Sequence, residues 1–199
     1  FQLLIYAIFK VSGYAGLSVF VQLMTVLLVI WLCKALRSDT TALKCVLLIP
    51  VLLLFESRLV TRPELTSFIF IAFFIYILSG FRRKQSSYIL LLPLCMLLWV
   101  NLHSLFITGI FIIAVFFIID WIEQRKPGKK SGLVLLLSIA ACFINPYGIK
   151  MLLFPFGLLS RFSDSNIFNE HIAEFLPFFR QSTFSPGDYL FIIWALIII

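Results

Sequence analysis

The chain has 199 residues, of which 62% are hydrophobic and 13% are charged, and its formal net charge is +7. Soluble globular domains contain about 45–50% apolar and about 25% charged residues, so this composition excludes a water-soluble domain, and it also excludes disorder. It predicts an integral membrane protein. Because the chain starts at Phe1, lacks a signal peptide and stops inside an apolar run, we expect an internal fragment of a longer protein.

Seven apolar runs are candidates for helices that cross a bilayer, each of which needs about 20 residues. In chain order they are 14–33, 42–59, 65–81, 88–102, 105–122, 132–144 and 189–199. The second, fourth and sixth runs are short, which is typical of helices that line a cavity. The predicted fold is an all-α polytopic transmembrane bundle with six complete spans and a truncated seventh. Residues 1–199 form one domain, in which the segment 149–186 lies at the non-cytoplasmic interface.

The basic residues cluster in three short loops between the runs. These loops hold ten of the 16 basic residues and three of the nine acidic ones, which gives them a net charge of +7. If all seven runs cross, the three loops lie on the same side, and the positive-inside rule makes that side cytoplasmic. The charge therefore reports topology, and the expected partner is the lipid bilayer rather than nucleic acid. The basic residues are Lys34, Arg37, Lys44, Arg82, Arg83, Lys84, Arg125, Lys126, Lys129 and Lys130.

The first polar group on the opposite side is the sequence ESRLVTRPE, residues 56–64. Arg58 and Arg62 are four residues apart and would share a helix face, and Pro63 would begin the next helix. Two guanidinium groups beside a helix N-terminus predict a phosphate site. The alternative is that both arginines reach the lipid headgroups while Glu64 neutralises them.

Two further polar groups lie on this side. Asn101 and His103 follow Trp99, and either side chain can hydrogen-bond a sugar hydroxyl or a phosphate oxygen. The alternative is a set of interfacial polar residues beside a belt of tryptophan. Asn145 and Tyr147 belong to the sequence NPYG, for which a structural turn is the favoured interpretation and substrate binding the alternative.

The fourth group is Glu170, His171 and Glu174 in the segment 149–186. On a helix the two carboxylates would share one face, with His171 adjacent. This spacing suits a divalent cation such as Mg²⁺ or Mn²⁺. The alternative is an ordinary solvated helix face.

The motifs FQLLIYAIFKVSGYAGL, RLVTRPELTSFIF, WVNLHSLFITG, NPYG and HIAEFLP together resemble bacterial multi-span proteins of the glycosyltransferase C superfamily. The resemblance is to mannosyltransferase-like and lipopolysaccharide sugar-transferase-like members. It implies a polyprenyl-phosphate sugar donor, often a divalent metal, and transfer on the outer face of the bacterial inner membrane. It also implies an acidic catalytic residue before Phe1, and contacts of Arg58, Arg62 and His103 with the donor. The resemblance implies a Trp after Glu174, where this chain has Phe175.

The expected function is a hexosyl- or pentosyl-type transfer from a polyprenyl-phosphate donor to an envelope acceptor. The alternative is a transporter or flippase for a lipid-linked or anionic substrate, which would use the same arginines and histidine. No P-loop or dinucleotide fingerprint is present in the sequence, which argues against a nucleotide-dependent reaction. The expected substrate-binding residues are Arg58, Arg62, Glu64, Asn101, His103, Asn145 and Tyr147.

The predicted topology can be tested by cysteine labelling in intact cells. The four native cysteines are replaced, and single cysteines are introduced as Lys84→Cys or Lys126→Cys. Both should resist an impermeant thiol reagent until the cells are permeabilised, because their loops are expected to be cytoplasmic. Tyr147→Cys, on the opposite side, is the control that should react in intact cells. Ready labelling at Lys84→Cys would contradict the topology.

Overall fold

The computed structural model describes residues 1–36, 40–55, 60–83, 88–124, 128–161 and 186–198. These residues form helices and connecting turns, with no strand among them, which confirms the all-α prediction. A short 3₁₀ turn, Tyr88–Leu90, precedes α4. The helices are α1 (Gln2–Leu36), α2 (Thr41–Phe55), α3 (Glu64–Arg82), α4 (Leu91–Leu102), α5 (Phe106–Gln124), α6 (Lys129–Ala141), α7 (Ile149–Arg161) and α8 (Pro186–Ile198).

Three helices, α1, α3 and α5, are long and apolar enough to cross a membrane, which indicates an integral membrane protein. The other four predicted spans overlap the shorter helices α2, α4, α6 and α8, of 12 to 15 residues. At 1.5 Å per residue, helices of this size extend about 20 Å, less than the ~30 Å hydrocarbon core. The length and composition of the helices therefore support three membrane-spanning helices, α1, α3 and α5.

Helix α1 begins twelve residues before the first predicted run and bends at Gly13, where φ is 58° and ψ is −151°. Only glycine adopts this backbone region readily. The bend divides α1 into a first segment, residues 2–12, and a second segment, residues 14–36. The second segment extends for about 35 Å, enough to cross the bilayer without the first.

Helix α3 lies at the centre of the bundle and packs against α1, α4 and α5. The first residues of α1 line a cavity together with Thr61 and Pro63, just before α3, whereas Trp31 near the end of α1 contacts Phe73 and Tyr76 further along α3. These two helices therefore run in the same direction. Helix α6 packs against α4 and α5, and α2 packs against α8. Among the described residues, the largest fully buried side chains are Trp99, Phe74 and Phe106.

Trp99 joins three helices at one point. Its ring stacks on Phe70 and meets Phe74 edge to face, with ring centroids 5.2 and 5.4 Å apart. Its indole Nε1 donates a hydrogen bond of 2.8 Å to the Oγ of Ser67 on α3. On α5, a Cβ at Gly109 would lie 2.6 Å from a carbon of the Trp99 ring. The tryptophan therefore fits because position 109 carries no side chain.

Polar contacts also join α3, α5 and α6 at the end of the bundle where α3 and α5 terminate. Arg82 forms an ion pair with Glu123, and the buried carboxylate of Asp120 accepts a hydrogen bond of 2.8 Å from Ser131. These contacts bring the end of α3, the end of α5 and the start of α6 together. The same end of the bundle therefore holds the described basic residues Arg82, Arg83, Lys129 and Lys130. That this end faces the cytoplasm stays a prediction.

Gly109→Ala should destabilise the bundle by about 1–3 kcal/mol, because the new methyl group overlaps Trp99 and Met96 in a filled core. The matched control is Gly157→Ala in α7, where a Cβ meets no atom within 4 Å. Heating each variant in detergent and measuring the fraction that remains monodisperse compares them. The control should retain or slightly exceed the wild-type stability, since alanine favours helix. Equal stability of the two variants would contradict the packing at Gly109.

Candidate functional site

Three of the predicted polar groups meet at one end of the bundle, which we call the polar end. It comprises residues 61–67 at the start of α3, residues 101–103 at the end of α4 and the turn 145–148 after α6. Two hydrogen bonds hold these parts together. The Ser67 hydroxyl lies 2.8 Å from Nδ1 of His103, and the Asn101 amide donates to the carbonyl oxygen of Ile144 at 3.0 Å.

His103 is half-buried and follows the last residue of α4. Its backbone N–H closes the helix by donating to the carbonyl of Trp99 at 3.0 Å. Burial lowers the pKa of the imidazole below its ordinary value, and the negative charge of Glu64 acts in the opposite direction. The uncharged imidazole is therefore favoured at neutral pH.

Ser67 is a site residue that the sequence analysis did not identify. Its hydroxyl contacts both Trp99 Nε1 and His103 Nδ1, and the residue is fully buried. A serine beside a histidine suggests a nucleophile, but a buried hydroxyl cannot reach a substrate. Trp99 is also fully buried, so it does not belong to an interfacial belt as one alternative proposed.

The two asparagines of the polar end bind backbone carbonyls. The Asn101 side chain donates to the carbonyl oxygens of Leu97 and Ile144, which joins the ends of α4 and α6. The Asn145 amide donates to Cys142, and its oxygen accepts the N–H of Tyr147, an arrangement that forms the predicted turn. Both side-chain amides thus use some of their hydrogen-bonding groups to hold the backbone in place. Their role in substrate binding stays a prediction.

A cavity of about 800 Å³ opens at the polar end. Its polar lining comes from three separate elements and includes Thr61, Asn101 and Tyr147. A second wall comes from α1, chiefly from its first segment, and consists mainly of apolar and aromatic side chains such as Tyr6 and Phe9, with Gln2 as a polar exception. A second cavity of about 340 Å³, between α1 and α3, is lined almost entirely by apolar residues, and Leu102 borders both cavities.

The structure describes two of the remaining predicted site residues, Arg62 and Glu64, and does not describe the others. Arg62 is exposed and lies before α3, outside a helix, so the predicted helix face shared with Arg58 does not extend to it. Its neighbours Thr61 and Pro63 line the 800 Å³ cavity, but Arg62 is not among the lining residues. Glu64 is the first residue of α3 and Pro63 is its N-cap, so the helix begins one residue after the predicted start at Pro63. Four predicted residues lie outside the described ranges: Arg58, Glu170, His171 and Glu174. In the described part of the chain, no group of three His, Cys, Asp or Glu residues could hold a metal.

Glu64→Gln should lower the pKa of His103 further, because it removes the negative charge that favours the imidazolium form. The pKa is measured by following the His103 ring resonances with pH in the protein in lipid nanodiscs. Glu123→Gln makes the same change at the other end of the bundle and should leave this pKa unaltered. A rise, or no change, in Glu64→Gln would contradict the placement of Glu64 beside His103.

In comparisons with known proteins, no family model, no curated protein and no solved structure matches this chain. The resemblance to glycosyltransferases therefore rests on the short sequence motifs. Since fold and resemblance do not assign a substrate, the chemistry of the polar end has to support the functional argument.

Proposed function

We propose that this chain is part of an integral membrane glycosyltransferase that moves a sugar from a polyprenyl-phosphate donor to an acceptor of the cell envelope. The observation that supports it most is the 800 Å³ cavity, which combines polar groups from three elements with an apolar wall from α1. A ligand with a polar head and an apolar chain satisfies both surfaces. A polyprenyl-phosphate sugar has this character.

The donor would lie across the two cavities. Its sugar and phosphate would occupy the polar end near Arg62, Asn101 and Tyr147, where guanidinium, amide and hydroxyl groups supply hydrogen-bond donors. Its isoprenoid chain would follow the apolar cavity between α1 and α3, where Met24 and Ile69 contribute to the lining. Leu102 borders both cavities, so the head and the chain could be bound next to each other.

The proposed reaction is an inverting displacement at the anomeric carbon of the sugar. The acceptor oxygen forms the new bond to this carbon while the bond to the phosphate oxygen breaks, and the electron pair remains on the departing polyprenyl phosphate. The acceptor proton passes to a carboxylate base, a role that we assign to no residue of this chain. Arg62, together with Arg58, would stabilise the negative charge that develops on the leaving phosphate.

The proposal keeps all seven predicted crossings and places the protein in a bacterial inner membrane. The basic loops would face the cytoplasm and the polar end the periplasm. A divalent metal at Glu170, His171 and Glu174 belongs to the same proposal, although no step is assigned to it. A flippase would bind the same donor but would move it across the bilayer with its sugar–phosphate bond intact.

Arg62→Lys should reduce sugar transfer by the full-length protein about 30- to 1000-fold, which corresponds to a loss of about 2–4 kcal/mol of transition-state stabilisation. The reason is that lysine cannot replace the bidentate contact of a guanidinium group with phosphate. Arg83→Lys, an exposed arginine at the other end of the bundle, is the control and should leave the rate unchanged. Transfer is measured in membranes as release of polyprenyl phosphate and as labelled acceptor. Wild-type activity in Arg62→Lys would favour the alternative in which this arginine binds headgroups, since lysine reaches them equally well. Movement of intact donor without release of polyprenyl phosphate would indicate a flippase.

A further inference from the structure

The contacts of Ser67 define where the proton of His103 resides. An indole nitrogen only donates, so the Ser67 oxygen accepts the hydrogen bond from Trp99. The serine hydroxyl has one hydrogen of its own, and Nδ1 of His103 lies 2.8 Å away. If Nδ1 accepts this hydrogen, the imidazole proton must be on Nε2. Trp99 Nε1, the Ser67 hydroxyl and Nδ1 of His103 then all have partners, and Nε2–H remains as a hydrogen-bond donor.

The other tautomer leaves the network incomplete. A proton on Nδ1 would be donated into the Ser67 oxygen, and the serine hydrogen would lose its acceptor inside the core. Among the described residues, the Ser67 hydroxyl has no hydrogen-bond partner besides Trp99 and His103, and no backbone carbonyl accepts from it. Because Ser67 is fully buried, water does not supply a substitute acceptor.

We propose that Ser67 and Trp99 are positioning residues that hold His103 with its proton on Nε2, so that His103 acts as an oriented hydrogen-bond donor to a phosphate oxygen of the lipid-linked ligand. The choice of ligand rests on the proposed function, whereas the tautomer does not. The two ring nitrogens of an imidazole point in different directions, so the contact of Nδ1 with the buried Ser67 leaves Nε2 for another partner. His103 is half-buried and is not itself among the residues that line the 800 Å³ cavity, but it directly follows Asn101 and Leu102, which line it.

This assignment makes His103 a donor rather than a base. A base needs a ring nitrogen that is free to accept a proton from the substrate, but Nδ1 is occupied by Ser67 and Nε2 carries the proton. A neutral N–H group that is held in one orientation suits an acceptor-rich phosphate. Ser67 and Trp99 do not touch the ligand and act through His103 alone.

The tautomer is measured directly by NMR of the ¹⁵N-histidine-labelled protein in lipid bilayers. The His103 signals are those that disappear in His103→Gln. We expect the Nε2 signal to show a directly bonded proton and the Nδ1 signal to have the shift of an unprotonated, hydrogen-bonded nitrogen. A proton on Nδ1 in the wild-type protein would overturn the proposal, and this measurement requires no variant of the network.

Ser67→Ala should change the His103 spectrum to that of a mixture of tautomers, because it removes the hydroxyl that Nδ1 accepts from. Ser138→Ala is the matched control: Ser138 is also fully buried, and its hydroxyl has no hydrogen-bond partner among the described residues. The control should leave the spectrum unchanged. An unaltered tautomer in a folded Ser67→Ala variant would overturn the role of Ser67.

Ligand recognition is tested with farnesyl phosphate, and farnesol is the control that lacks the phosphate. Farnesyl phosphate should shift the Nε2 resonance and its proton in a saturable manner, and farnesol should not. Ser67→Ala should raise the Kd for farnesyl phosphate about tenfold. If Nε2 does not respond although the protein transfers sugar, the inference fails and the proposed function stands. If Nε2 responds but no sugar is transferred, the proposed function fails and the inference stands.

Discussion

The fit of Trp99 between α3 and α5 is the constraint on which the rest of the bundle depends. Lipid is as apolar as the helix surfaces, so helices in a membrane associate through close packing and hydrogen bonds. Trp99 provides both, because Gly109 leaves room for its ring and Ser67 accepts its N–H. Since Trp99 is near the end of α4 and Ser67 near the start of α3, their contact places His103 beside Glu64 at the polar end.

Much of the fold can be predicted from the sequence because hydrophobic composition over about 20 residues is a local property. Each of the seven apolar runs overlaps a helix, and Pro63 marks the start of α3. The sequence does not predict that α1 starts at Gln2. Residues 2–12 have no pattern that separates a helix from a loop, and the bend at Gly13 depends on a backbone angle that glycine permits but does not require.

The candidate site is less predictable, because it depends on pairs that are distant in sequence. Asn101 and His103 stand out in an apolar region, and the topology alone places them on the same side as Arg62. No local pattern indicates that Ser67 meets His103, 36 residues away, since a lone serine in an apolar helix resembles any small packing residue. For the same reason the sequence leaves open an interfacial position for the tryptophan near the end of α4, although Trp99 is fully buried.

Two positions of the bundle require glycine for different physical reasons. Gly109 has neighbours so close that no side chain fits, whereas a Cβ at Gly13 would meet no atom within 4 Å. Position 13 therefore requires glycine for its backbone angle and not for space. Because α1 bends there, its first segment forms the apolar wall of the cavity instead of continuing the line of the second. Hydrogen bonds among α3, α4 and α6 hold the polar wall of the cavity in place. The position of the apolar wall depends on the backbone conformation of Gly13. The cavity therefore offers polar and apolar contacts side by side, and the proposal of a lipid-linked donor rests on this combination.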